Sequence, residues 1–254
     1  MICFSNHLNE CLKNYYILLF IFFSQCFGQP ATRHNNLWIH SVERVNIKKK
    51  STVVIEGVFR FANGFAQPQQ LFIRPSYEYK FSNKFVGSIG YTYYNTYSYG
   101  DLPMNKTSIP EHHIWVQGLY SHKWHSLFIS HRLRDEHRMV GMSILDSNKN
   151  YIIDHFEYRN RVRYMLTLTY PLLKRGDKAF LNGILADEAF FNIGSFSGAS
   201  LMNQNRIIAG FGFIFSPFAQ MQVCYIHQNI WNKTNTLEEV NPTLRLTFIH
   251  NLNF

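Results

Sequence analysis

The stretch 244–254, Leu-Arg-Leu-Thr-Phe-Ile-His-Asn-Leu-Asn-Phe, alternates with a period of two. Leu244, Leu246, Phe248, Leu252 and Phe254 share one parity, interrupted by His250. Arg245, Thr247, Asn251 and Asn253 share the other. Such a period puts successive side chains on opposite faces of an extended strand. The same alternation recurs upstream. In 70–81, Leu71, Ile73, Pro75, Tyr77, Tyr79 and Phe81 oppose Gln70, Arg74, Ser76, Glu78 and Lys80. In 156–170, Phe156, Tyr158, Val162, Tyr164, Leu166, Leu168 and Tyr170 oppose Glu157, Arg159, Arg161, Arg163, Thr167 and Thr169. Nothing after residue 36 carries the 3.6-residue period of a long amphipathic helix. The chain reads as all-β.

Candidate strands fall at 37–47, 51–62, 70–81, 84–97, 111–122, 124–138, 153–170, 178–192, 203–215, 218–230 and 242–254. Most exceed the usual soluble strand of about 5–6 residues and suit a tilted membrane-crossing strand. Their connectors alternate between short (48–50, 82–83, 122–123, 174–177, 216–217) and long (63–69, 98–110, 146–150, 194–202, 232–241). Short turns at one end and long loops at the other mark an up-and-down transmembrane β-barrel. Composition agrees. Aromatics make up 17% and charged residues only 16%, against roughly a quarter charged in soluble domains. The mean hydropathy of −0.18 still looks soluble, because every second residue of such a strand faces the lumen. Bacterial single-chain barrels have an even number of strands. The expectation is therefore ten to twelve strands: the odd count means a missed strand, a first candidate 37–47 outside the wall, or residues 29–36 rising through the lumen.

Residues 1–28 read as a secretory leader. The apolar run 15–23 is too short for a span of about 20 residues and fits the core of a signal peptide, with cleavage after Gly28. Cys26 follows Gln25, a poor context for lipidation. Cys3, Cys11 and Cys26 leave with the leader. Cys224 remains alone, so the mature chain forms no internal disulfide. The barrel domain is 29–254, and the net charge of +9 suits anionic headgroups or an anion path. Export argues against a nucleic-acid partner.

Several segments resemble, in order, a family of uncharacterised Bacteroidota outer-membrane barrels known as a domain of unknown function. They are Leu37-Trp38, Glu56-Gly57-Val58-Phe59-Arg60-Phe61, the run from His131 to Arg138, Arg159-Asn160-Arg161-Val162-Arg163-Tyr164, the run from Asp187 to Asn192, and Asn205-Arg206. The terminal Phe likewise resembles the closing strand of outer-membrane barrels. The resemblance implies fold and an outer-membrane location. It supplies no activity and no catalytic residue.

Charge concentrates on one parity of two neighbouring strands. Arg132, Arg134, Glu136 and Arg138 face one way on the first, and Glu157, Arg159, Arg161 and Arg163 one way on the second. Paired around 146–150, both sets line the lumen, where cross-strand neighbours sit about 5 Å apart. Glu56, Arg60, Arg74, Glu78, Glu188, Arg206 and Arg245 have lumen-compatible parity elsewhere. The first reading is a structural or accessory barrel, in a larger envelope assembly, with this Arg/Glu network plugging the lumen. Glu136 and Glu157 are expected to hold Arg134, Arg161 and Arg163. The alternative is a small pore for anionic solutes, and a third is a lipid-modifying hydrolase. Ser121-His122 and Ser130-His131 invite the third, but adjacent strand residues point to opposite faces, so neither dipeptide is a nucleophile–base couple by itself. The histidines lack metal-site spacing, and no phosphate or dinucleotide loop is present. No metal or cofactor is implied. Expected partners are outer-membrane lipid and lipopolysaccharide, the barrel-assembly machinery during insertion, and other envelope proteins.

Phe248, Leu252 and Phe254 carry the assembly signal in this reading. Deleting Phe254 should lower the yield of folded barrel more than deleting one residue from 146–150, measured by heat-modifiable migration of outer-membrane fractions.

Overall fold

A computed structural model describes residues 31–100, 105–194, 201–232 and 234–253. The leader 1–28 and Phe254 lie outside the described residues. The strands are β1 (Ala31–Arg33), β2 (Asn36–Lys48), β3 (Ser51–Ala62), β4 (Gln67–Lys80), β5 (Phe85–Thr96), β6 (Ile109–Trp124), β7 (Leu127–Leu145), β8 (Tyr151–Arg175), β9 (Lys178–Ile193), β10 (Met202–Ile214), β11 (Ala219–Trp231) and β12 (Glu238–Asn253). From β2 to β12 each strand pairs antiparallel with the next.

β1 and β2 both pair parallel with β12, Ala31 opposite Glu238 and Asn36 opposite Thr243. The offset is the same, so they form one wall strand interrupted at His34 and Asn35. The result is a closed barrel of eleven strands. The expectation of an even count is corrected at this seam. β2 starts at the long-loop end and β12 finishes at the short-turn end, so the first and last strands run in the same direction. A parallel ladder pairs backbone groups as completely as an antiparallel one, with slanted bonds. Eleven strands therefore close without an edge.

Hairpins 125–126 and 176–177 are two-residue links with a left-handed residue each, His125 (φ 52°) and Gly176 (φ 61°), as tight antiparallel turns require. The link expected at 63–69 is shortened, because β4 already begins at Gln67. β8 is the longest strand at 25 residues. Its pairing with β9 begins only at Asn160, so the outer part of the β7–β8 hairpin stands above its neighbour.

The parity read from sequence is the parity of the wall. Ile55, Phe59, Ile73, Tyr77, Ile89, Ile114, Leu133, Phe211, Leu244, Phe248 and Leu252 are exposed on the exterior. Trp38, Trp115 and Phe190 are buried with Arg74, Arg134 and Glu136 in the interior. An apolar exterior this extensive is stable against lipid and not against water. His250 breaks the outward pattern of β12 and is met by Glu43 across the seam, 2.9 Å from Nδ1. Ser41 stands opposite Phe248 in the same seam.

This closure is testable by cross-linking. With Cys224→Ser as background, Ser41→Cys and Phe248→Cys together should form a disulfide under mild oxidation, seen as a gel shift reversed by reductant. Free thiols in folded protein would mean that β2 does not complete the wall.

Candidate functional site: the charged lumen

The centre of the lumen is built on β7, β8, β9 and β10. Glu136 stands directly opposite Arg161, and Glu188 directly opposite Arg206. Glu136, 1% exposed, accepts from Arg161 Nε at 2.9 Å and from Arg163 Nη1 at 2.6 Å. Glu188 accepts from Arg163 Nε at 3.0 Å, from Arg206 Nη1 at 3.3 Å and from Arg132. Arg163 thus bridges two carboxylates on the strands either side of it. Arg134, its direct cross-strand neighbour, would repel it. The shared Glu136, 3.9 Å from Arg134 Nη1, offsets that repulsion, and Gln117 Oε1 accepts from Arg134 Nε at 2.9 Å.

Aromatic rings support the guanidinium planes. Phe190 lies under Arg163 and Arg206, each 4.6 Å from its centroid. Trp115 lies under Arg134 at 4.0 Å. Contacts of this kind are worth about 0.5–2 kcal/mol each. The indole of Trp115 needs Gly90: a Cβ there would sit 2.3 Å from its Cζ2. Trp38 takes Arg60 at 4.0 Å and Arg206 at 5.0 Å. Trp38 is on β2 and Arg206 on β10, so this contact spans the interior past β11 and β12.

The remaining charges lie around this centre. Arg74 pairs with Glu56 at 3.2 Å, and His40 shares that carboxylate at 3.1 Å. Arg138 is held by Glu111 at 2.6 Å. Glu78 holds Arg44 at 2.5 Å near the short-turn end. Arg245 is near His40, with its Nε buried and without a hydrogen-bond partner. Glu157 does not reach Arg161 or Arg163. It binds Arg159 on its own strand at 2.7 Å, because the β7–β8 hairpin carries both above the other strands. Glu188 takes the place expected for Glu157. Sequence reading missed Arg44, Glu111, His40 and His113, which share the lumen-facing parity of their strands. Above them Tyr99 donates to Glu239 at 2.8 Å. Burial and that carboxylate push its phenol pKa up.

One arrangement occurs twice. Asp135-Glu136 on β7 faces Asn160-Arg161 on β8, and Asp187-Glu188 on β9 faces Asn205-Arg206 on β10. In each, the Glu and Arg are directly opposed inside, while the Asp and Asn sit diagonally outside. Asn160 Nδ2 donates to Asp135 Oδ1 at 2.6 Å and to the Glu136 carbonyl at 3.4 Å. Asn205 Nδ2 donates to Asp187 Oδ1 at 2.7 Å and to the Glu188 carbonyl at 3.4 Å. His137 adds Nε2 at 3.5 Å from Asp135 and Nδ1 at 2.6 Å from the Tyr158 hydroxyl. The repeated Asp-Glu and Asn-Arg dipeptides were visible in sequence. Their identical register was not. Glu56 and Arg74 are also directly opposed, but the exterior beside them is Ile55 and Ile73, 48% and 51% exposed.

The Ser–His dipeptides are split by the wall, as strand geometry demands. Ser121 and Ser130 face each other across one strand pair, while the His122 and His131 rings stack 5.5 Å apart. Among the described residues no serine hydroxyl hydrogen-bonds a histidine.

The chain belongs to the family described as Protein of unknown function (DUF2490), which matches residues 35–239. No curated protein matches it in sequence. Among solved structures it is similar to the NanC porin, at 8% identity and a TM-score of 0.41, over 77% of this chain and 88% of that one. It is also similar to the outer-membrane expressed OmpT of Vibrio cholerae, at 11% identity and a TM-score of 0.36, over 76% of this chain and 59% of that one.

Removing Glu136 leaves Arg161 and Arg163 short of a carboxylate in a closed interior. Glu136→Ala should lower unfolding stability in detergent by about 3–5 kcal/mol. Glu157→Ala, at a partly exposed pair, should cost about 0–1 kcal/mol. Urea titration followed by tryptophan fluorescence measures both.

Proposed function

We propose that this protein is an exported outer-membrane barrel that does not conduct, and that it serves as an accessory component of an envelope assembly. The observation that carries this reading is the filled lumen. Trp115, Phe190, Arg134, Glu136, Arg163 and Glu188 are all nearly inaccessible, and they interlock at the level where a channel would have to pass. Rigid, multiply bonded guanidinium–carboxylate groups fill space as well as they hold charge. A small anion pore would need this layer to part.

The wall supports the accessory role. Lipid-facing carboxylates are costly, and outward Asp135 and Asp187 are not needed for the inner Glu–Arg pairs, since Glu56–Arg74 forms one behind an isoleucine wall. A polar stripe repeated on β7–β10 fits a protein partner offering hydrogen-bond donors, with lipid and lipopolysaccharide covering the rest. Insertion would use the barrel-assembly machinery, and the leader would direct export.

Purified protein in planar bilayers should show no steady conductance steps, and Arg163→Ala should open small ones. Steady anion-selective steps from the unmodified protein would overturn the plug. The double variant Asp135→Leu, Asp187→Leu should still give an isolated barrel with heat-modifiable migration, because the inner Glu136–Arg161 and Glu188–Arg206 pairs remain. It should shift the protein to lower apparent mass on native gels of outer membranes. An unchanged native mass would count against the wall as a docking face.

A further inference from the structure

Above the plug, towards the long loops, a cavity of about 80 Å³ opens among Trp38, Arg60, Tyr99, His113, Arg206 and their neighbours. Five arginines line it (Arg60, Arg138, Arg161, Arg163 and Arg206) against one carboxylate, Glu111. Four of these have carboxylate partners. Glu111 holds Arg138, Glu136 holds Arg161 and Arg163, and Glu188 holds Arg163 and, at 3.3 Å, Arg206. Arg60 has none among the described residues. It is 8% exposed, its Nη1 donates to the neutral Gln70 Oε1 at 2.5 Å, and its Nε is buried without a partner.

Arg206 is only partly neutralised. With the amide oxygen of Gln204 turned towards it, Gln204 accepts from its Nε at 2.8 Å and its Nη2 at 2.7 Å. Those are dipoles and carry no charge. Arg60 and Arg206 lie against one indole, Trp38, at 4.0 and 5.0 Å. Two guanidiniums thus border one cavity with less negative charge than they need. Buried cations are stable when paired with anions, and a planar guanidinium matches the paired oxygens of a carboxylate or phosphate.

We propose that this vestibule is a binding site for a small oxyanion, a carboxylate or phosphate group, held between Arg60 and Arg206 over Trp38. The volume admits one such group; water takes about 30 Å³ per molecule in the liquid. The plug beneath makes it a blind site reached from the long-loop end. The oxyanion can belong to a free solute or to the headgroup of a lipid beside the barrel. The blind end rests on the plug proposed above, whereas binding itself is independent of any partner protein.

Isothermal titration of the full-length folded barrel in neutral detergent tests this. The probes are inorganic phosphate, acetate and glycerol 3-phosphate, each at ionic strength matched with sodium chloride. Saturable binding by any of them, weakened at least tenfold by Arg60→Gln, is the expected result. Arg44→Gln, at the distant Glu78 pair, should bind as the unmodified protein does. A short-chain phosphatidic acid added to the same detergent forms the second arm. Tighter binding there than for the free anions assigns the site to a lipid headgroup, and equal or weaker binding assigns it to solutes. Absence of saturable binding in both arms overturns the proposal. So does unchanged affinity in Arg60→Gln that retains heat-modifiable migration.

Discussion

Closure of the backbone ladder governs everything else in this molecule. A strand whose outer face is isoleucine and phenylalanine cannot leave its N–H and C=O groups unpaired in hydrocarbon, where each costs several kcal/mol. Every strand needs two neighbours, including the first and the last. Eleven strands make those two run the same way, so β2 and β12 must join in parallel from Asn36 opposite Thr243 to Asn46 opposite Asn253. The seam uses the ordinary backbone of alternating residues. His250 and Glu43 mark it chemically, by meeting on the exterior.

A closed barrel then has an interior to fill, and every second residue of every strand points there. Apolar side chains alone would make the chain greasy on both faces. Long polar side chains solve this if their charges are neutralised within hydrogen-bond reach. Arg163 does so by reaching β7 and β9 at once, and Phe190 gives three guanidiniums, those of Arg161, Arg163 and Arg206, a common bed at 4.6–5.3 Å. Trp115 fits only because Gly90 lacks a side chain. The filling is therefore specific: changing one member leaves its partners charged and enclosed.

The period of two made strand positions and the inner and outer faces legible in the chain, because burial on one face of a closed wall enforces alternation. Arg161 and Arg163 could be placed on one face for that reason. Their partners could not. Whether Glu136, Glu157 or Glu188 holds Arg163 depends on how far each hairpin rises past its neighbour, and alternation carries no height. Glu157 is two residues from Arg159 and finds it locally, while Glu188 arrives from β9. The parallel seam was equally hidden. A count of eleven conflicts with the even-number habit of such barrels, and only the register of β12 against β1 and β2 shows that the conflict needs no missing strand.

The charges that fill the lumen also fix the register of the wall. Sliding one strand by a single residue exchanges its faces. On β3 and β4 that would bring Glu56 and Arg74 into lipid and Ile55 and Ile73 into the lumen. An arginine near the bilayer midplane costs about 2–4 kcal/mol, so the slip is strongly disfavoured. On β7–β10 the outward parity carries Asp135, His137, Asn160, Asp187 and the covered Asn205, and the contrast between faces is weaker. There the directly opposed pairs Glu136–Arg161 and Glu188–Arg206 take over, together with the asparagine amides that bond an outer Asp and the carbonyl of the inner Glu at once. Each amide ties the outer face to the inner one at a single height, so register is held by hydrogen bonds where hydrophobicity cannot hold it. A wall that gives up its hydrophobic contrast in one sector, and replaces it with the same four-residue device twice, is polar there by construction.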